Sequence, residues 1–80
     1  MIVEVKVFTS LRQYIPSSDK HLDGDKWDVP NGAKIIDVLA MLQLPEDQDL
    51  ILLVNGRHAE KDRGLNEGDV LHLFPPVIGG

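Results

Sequence analysis

The sequence predicts an α+β fold in which a mixed sheet of four to five strands packs on one main helix. Three observations carry that expectation. Residues 2–8 alternate with a period of two, residues 34–44 repeat apolar positions at helical spacing, and Asn55-Gly56 between two short runs marks a hairpin. A chain of 80 residues buries only about 60% of the surface that its unfolded form exposes, so one sheet on one or two helices is near the limit of what it can build.

The elements follow in order. Val3, Val5 and Val7 fall on one side of the first strand, with Ile2, Glu4, Lys6 and Phe8 on the other. Ser10-Leu11-Arg12-Gln13 fits a capping box, and Leu11, Tyr14 and Ile15 give a short helix an apolar stripe before Pro16 stops it. Residues 16–25 read as a polar surface loop, and 26–29 as a short strand. After the Pro30-Asn31-Gly32 turn comes the main helix, 34–44, with Ile35, Val38, Leu39 and Leu42 on one face and Pro45 ending it. An acidic loop over 46–49 leads to residues 50–54, apolar on both sides and therefore expected to be buried on both. Asn and Gly tolerate the positive φ of a type I′ turn, so 57–59 should pair back. A turn over 64–68 precedes the last strand, 70–74, which Pro75-Pro76 ends by removing ladder donors. A main helix after two strands and before the rest suits a sheet curled over it, the β-grasp or ubiquitin-like arrangement, with first and last strands as parallel central neighbours.

Composition narrows the function. There is no cysteine, so neither a disulfide framework nor a thiolate site or persulfide on this chain is available. Acidic residues outnumber basic ones 13 to 8, a net charge of −5, which argues against nucleic acid and suits equally docking on a basic partner surface or simple solubility. The longest aliphatic run, 50–54, is far below the roughly 20 residues that span a bilayer, and the charged first strand is no signal peptide. A cytoplasmic location is the expectation.

Side chains offer little chemistry. His21, His58 and His72 show no ligand spacing, and Asp19, Asp23, Asp25 and Asp28 lack the glycine and glutamate of a calcium loop, so no metal is expected. Ser17-Ser18 has no nucleophile elbow around it, no phosphate-binding glycine loop is present, and Trp27 is read as packing on the sheet. Val70, His72 and Phe74 share one side of the last strand. Their pattern is read as core; exposed, they would be the natural docking patch.

The tail is different. Residues 1–74 read as the domain and 75–80 as a flexible arm ending in Gly79-Gly80, which no folding argument requires. Pro75 and Pro76 launch it stiffly, and residues 75–80 reach up to about 20 Å, enough to place a terminal carboxylate in a neighbour's active site. Lacking Cβ atoms, the two glycines can enter a channel too narrow for any other residue. A carboxylate is ionised at neutral pH and a poor electrophile, so a partner must activate it, for example as an acyl-adenylate.

Leu65-Asn66-Glu67-Gly68-Asp69-Val70 followed by Phe74-Pro75-Pro76-Val77-Ile78-Gly79-Gly80 resembles the ending of the MoaD/ThiS family of ubiquitin-like sulfur carriers. Phe8-Thr9-Ser10-Leu11-Arg12, Val54-Asn55-Gly56 and the helix over 32–42 are similar in order and spacing, so the likeness covers nearly the whole chain. It departs at Lys34, where the family commonly has a capping threonine, and at Ile78, often a small residue there.

The resemblance implies that the chain is a carrier and not itself an enzyme. It binds no cofactor, and ATP is used by an E1-like adenylyltransferase that activates Gly80. A sulfurtransferase or cysteine desulfurase supplies the sulfur of a thiocarboxylate, and the large subunit of molybdopterin synthase takes it for the molybdenum or tungsten cofactor. Phe74, Pro75, Pro76, Val77, Ile78 and Gly79 are then partner-binding, and the Phe-Pro-Pro step favours molybdopterin over thiamine thiazole synthesis. A sulfur carrier for thiamine thiazole synthesis or another sulfur-transfer pathway, a ubiquitin-like modifier joined to lysines and an inert interaction module are the other readings.

Overall fold

The structure is a computed structural model that describes residues 1–8, 19–43 and 50–75. Its elements are β1 (Ile2–Val7), β2 (Lys26–Asp28), α1 (Ile35–Met41), β3 (Ile51–Val54), β4 (Arg57–His58) and β5 (Val70–Phe74). They form a five-stranded mixed sheet in the order β2-β1-β5-β3-β4 with the helix against one face, a β-grasp fold. Strands β1 and β5 are the expected parallel pair, in register Glu4↔Val70 to Val7↔Leu73. The capping box at Ser10, the helix expected over Leu11, Tyr14 and Ile15, and the acidic loop 46–49 lie outside the described residues.

One side of the sheet and one stripe of the helix make the core. Val3, Val5 and Val7 of β1 and Leu71 and Leu73 of β5 meet Ile35, Val38, Leu39 and Leu42, with Trp27 packed in from β2. Alternation along the first strand is therefore the pattern that the residues announce. Strand β3 departs from expectation. Leu52 and Val54 are buried, whereas Ile51 and Leu53 are half-buried, because helix covers one side of the sheet only.

The helix is shorter than 34–44. Leu42 is its C-cap, and Gln43 adopts a left-handed φ of 56°, so the chain leaves the helix before Pro45 can stop it. At the other end Lys34 has no side-chain acceptor to offer, since an ammonium only donates. Backbone and Asp37 replace the missing cap. Ile35 N–H donates to Arg63 O at 3.0 Å and Ile36 N–H to Lys61 O at 2.9 Å, while the Asp37 carboxylate accepts from Lys34 N–H at 2.9 Å. The first orphan donors of α1 are thus met by the segment that follows β4.

The Asn55-Gly56 hairpin forms as expected, with φ of 53° and 84°. Asn55 does more than turn the chain. Its Oδ1 accepts from Val70 N–H at 2.9 Å and its amide donates to Asp69 Oδ1 at 3.0 Å. Asp69 Oδ2 accepts from Asn66 N–H at 2.8 Å and lies 3.6 Å from the Arg63 guanidinium. Burial alone would raise the Asp69 pKa; the bonds accepted from Asn66 and Asn55 and the Arg63 charge outweigh it and hold the carboxyl below its usual range.

Two outcomes follow. Leu39 is buried, so Leu39→Ala should cost about 2–5 kcal/mol in urea unfolding. Asp69→Asn can accept from Asn66 or from Asn55 but not hold both without opposing donors, a loss of about 1–3 kcal/mol at pH 7. Because the folded pKa is depressed, that advantage is present in full above the unfolded carboxyl range and vanishes as pH falls through the lower folded value. The urea midpoints of wild type and variant should converge on acidification.

Candidate functional site

Among the described residues no element covers the sheet's second face, and the strand pairings decide what gathers on it. Lys6 pairs with His72, His72 with Leu53, and Leu53 with His58, so these four make one row across β1, β5, β3 and β4. Beside it Phe8, Phe74 and Ile51 make an apolar row: Phe8 N–H donates to Leu73 O at 3.0 Å, and Phe74 pairs with Ile51. Ring centroids of Phe8 and Phe74 are 6.2 Å apart, and His72 lies parallel to Phe74 at 6.0 Å. Phe8 is 49% exposed.

Val70, His72 and Phe74 do share a side, but it is this half-buried outer one. The expectation that they are core is corrected: Leu71 and Leu73, both 0% exposed, take that place. Alternation reveals which residues share a side; the helix decides which side is covered.

Charge lies around the apolar end more than within it. Lys6 Nζ is 3.2 Å from the Asp25 carboxylate, and among the described residues Asp19, Asp25, Asp62 and Glu67 lie in turns. His72 Nδ1 is buried without a hydrogen-bond partner. No group of three histidine or acidic side chains gathers for a metal among the described residues, whose helix is also too short to cross a membrane.

Of the sequence-predicted site, Phe74 and Pro75 are described and half-buried at the end of β5. Pro76, Val77, Ile78, Gly79 and Gly80 lie outside the described residues. Phe8, Ile51 and Leu53 were missed as companions of Phe74. The signals that would have found them are the parallel register of β1 with β5, which carries Phe8 toward Phe74, and the antiparallel register of β3 with β5, which pairs Ile51 with Phe74 and Leu53 with His72.

An apolar sheet face at the root of a Gly-Gly segment, on a β-grasp domain, is the build of the ubiquitin-like carrier proteins. Within that class the sequence pattern of the ThiS family matches residues 5–80, and the chain belongs to this family of sulfur carriers. Similar solved structures include a protein assigned as molybdopterin converting factor subunit 1 from Pyrococcus furiosus, with 30% identity over 95% of this chain and 98% of that one and a TM-score of 0.65. SAMP1 from Haloferax volcanii is 23% identical over the full length of both chains, TM-score 0.67. A chain from the complex of subunits 1 and 2 of the Helicobacter pylori molybdopterin-converting factor is also 23% identical over both full lengths, TM-score 0.57. At that identity the last two likenesses speak for the fold. No curated protein matches the chain in sequence.

The two faces should differ in what they contribute to stability. Phe8→Ser removes a half-exposed ring and one aromatic contact, a cost of about 1.5 kcal/mol or less. Leu73→Ala, on the covered side, should cost about 2–5 kcal/mol by the same urea measurement.

Proposed function

We propose that this chain is a sulfur carrier whose Gly80 α-carboxylate is the group that is charged and discharged. The observation that carries the reading is the match to the ThiS family pattern through residue 80, which includes Gly79 and Gly80. An E1-like adenylyltransferase binds ATP; a carboxylate oxygen attacks the α-phosphorus and pyrophosphate leaves. A persulfide, supplied through a sulfurtransferase or cysteine desulfurase, then displaces AMP from the acyl carbon to form an acyl disulfide, and attack by a second partner thiol on the partner-side sulfur releases the thiocarboxylate and leaves a disulfide between the two partner thiols.

The molybdopterin branch is favoured by the Pyrococcus furiosus relative and by the Phe74-Pro75-Pro76 step. In that branch the large synthase subunit takes the sulfur, and the small chain acts as carrier in the cytoplasm without catalysing a step itself. Residues 1–74 serve as the handle and 75–80 as the arm.

Energetics divide the work between arm and face. Ordering residues 77–80 costs roughly 4–8 kcal/mol, at about 1–2 per residue. Burying Val77 and Ile78 returns about 1.5–3 kcal/mol each, close to cancelling it. Affinity therefore comes mainly from the open face, and any enzyme that takes Gly80 lies within about 20 Å of Phe74, over the Phe8–Phe74 end.

Intact-protein mass spectrometry tests the reading. Incubated with an E1-like enzyme, ATP and a sulfur source, the chain should gain the mass of sulfur replacing oxygen, localised to Gly80. One residue added after Gly80 moves the carboxyl by about 3.5 Å, where a misplacement of about 1 Å can cost 10²-fold in rate, so the extended chain should not be charged. Equal charging of both sinks the proposal, and lysine conjugates that survive denaturation would point to the modifier role.

A further inference from the structure

The chain holds two Asn-Gly pairs, Asn31-Gly32 and Asn55-Gly56, and both lie in exposed turns. In such a pair the asparagine amide is readily lost, because glycine has no Cβ to keep its main-chain nitrogen away from the asparagine side-chain carbon. The structure treats the two pairs differently. Gly32, at a φ of 85°, belongs to a turn closed by Ala33 N–H donating to Pro30 O at 3.1 Å, and the Asn31 side chain makes no hydrogen bond to another described residue. The Asn55 carboxamide is held at both ends. Its Oδ1 accepts from Val70 N–H at 2.9 Å and its Nδ2 donates to Asp69 Oδ1 at 3.0 Å, while Asn55 N–H donates to Val70 O at 2.8 Å.

Loss of the amide has to break that hold. A base takes the Gly56 N–H proton, the nitrogen bonds to Asn55 Cγ, the Cγ–Nδ2 bond breaks, and ammonia leaves with a proton from solvent. Water then opens the cyclic imide on one side or the other, to aspartate or to isoaspartate, so that amide and water have become acid and ammonia. Turning Cγ onto the Gly56 nitrogen swings both the oxygen and the nitrogen of the carboxamide, so its bonds to residues 69 and 70 must release first. Local opening of the hairpin from β5 therefore precedes the reaction.

The product fits the same place badly. A carboxylate at position 55 has no N–H to give Asp69, and its oxygen would stand where Nδ2 stands, 3.0 Å from an anionic oxygen of a residue only 8% exposed. The Arg63 guanidinium, 3.6 Å from the other Asp69 oxygen, would then serve two carboxylates. Isoaspartate adds a main-chain carbon to a two-residue turn and upsets the register of Leu53 with His58 and of Val54 with Arg57. We propose that Asn55-Gly56 is a modification site gated by the fold: the folded chain keeps the amide, an opened chain loses it, and the acid that results weakens the return of β5 to the hairpin. The change runs one way, so a chain that has opened here carries a permanent mark of it.

Peptide mapping by mass spectrometry, after incubation of the full chain in mildly alkaline buffer with and without guanidinium chloride, follows both pairs in one sample. Asn55 should lose its amide roughly tenfold or more slowly in the folded chain than in the unfolded one, with Asn31 much less protected. Equal rates for Asn55 in both states, or protection of the untethered Asn31 to the same extent, overturns the proposal. Urea unfolding reads the product separately. Asn55→Asp should lower the midpoint, and adding Asp69→Asn should raise it again, because the amide at 69 can donate to the carboxylate at 55 while its oxygen still accepts from Asn66 N–H. An unchanged midpoint in Asn55→Asp, or no recovery in the double variant, overturns it as well; the double variant keeps the test open if the single one does not fold.

Discussion

The parallel pairing of β1 with β5 is the constraint on which the molecule depends. It joins the two ends of the described chain at the centre of the sheet, so neither half completes a core without the other. The loop that it closes is nearly the whole chain, and its closure entropy is met by the most fully buried side chains present, among them Val3, Leu71 and Leu73. Hydrogen bonds at the start of β5 hold the register: Glu4 N–H donates to Asp69 O, Gly68 N–H to Ile2 O, and Asn55 grips Val70 in both directions. A slip of one residue would turn Leu71 and Leu73 outward.

That pairing also produces the outer apolar face. Because Leu73 must enter the core, Phe74 must point away from it, and because Phe8 donates to Leu73, the two rings meet on the outer side. The apolar patch and the position of Pro75 at the end of β5 are consequences of the same register. Among the described residues no element covers that outer side, because α1 packs on the other.

Local signals were readable where one residue type has one physical use. Asn55-Gly56 announced its turn because few residues accept positive φ, and Val3, Val5 and Val7 announced the inward side of β1 because charges interleave them. In the sequence the glycine pair at 79–80 stood out because glycine has no side chain to offer a core. Signals failed where the answer lies in distant pairing. Ile51 and Leu53 look as buried as Leu52 and Val54, and only the missing layer on the open side separates them. Gln43 ended the helix ahead of Pro45 by adopting a left-handed conformation that its residue type does not advertise. Phe8 joined the site through a partner at position 74, too far along the chain for any periodicity to connect them.

The start of the helix has a further implication. Its first donors are received by the main-chain carbonyls of Arg63 and Lys61, and not by the side chains of those residues. Substitutions at Glu60, Lys61 and Asp62 can alter the charge and shape of that corner while the support beneath it persists, provided that the path of the chain is kept; Arg63 is tied more closely, through its ion pair with Asp69. At those three positions surface and support are thus uncoupled.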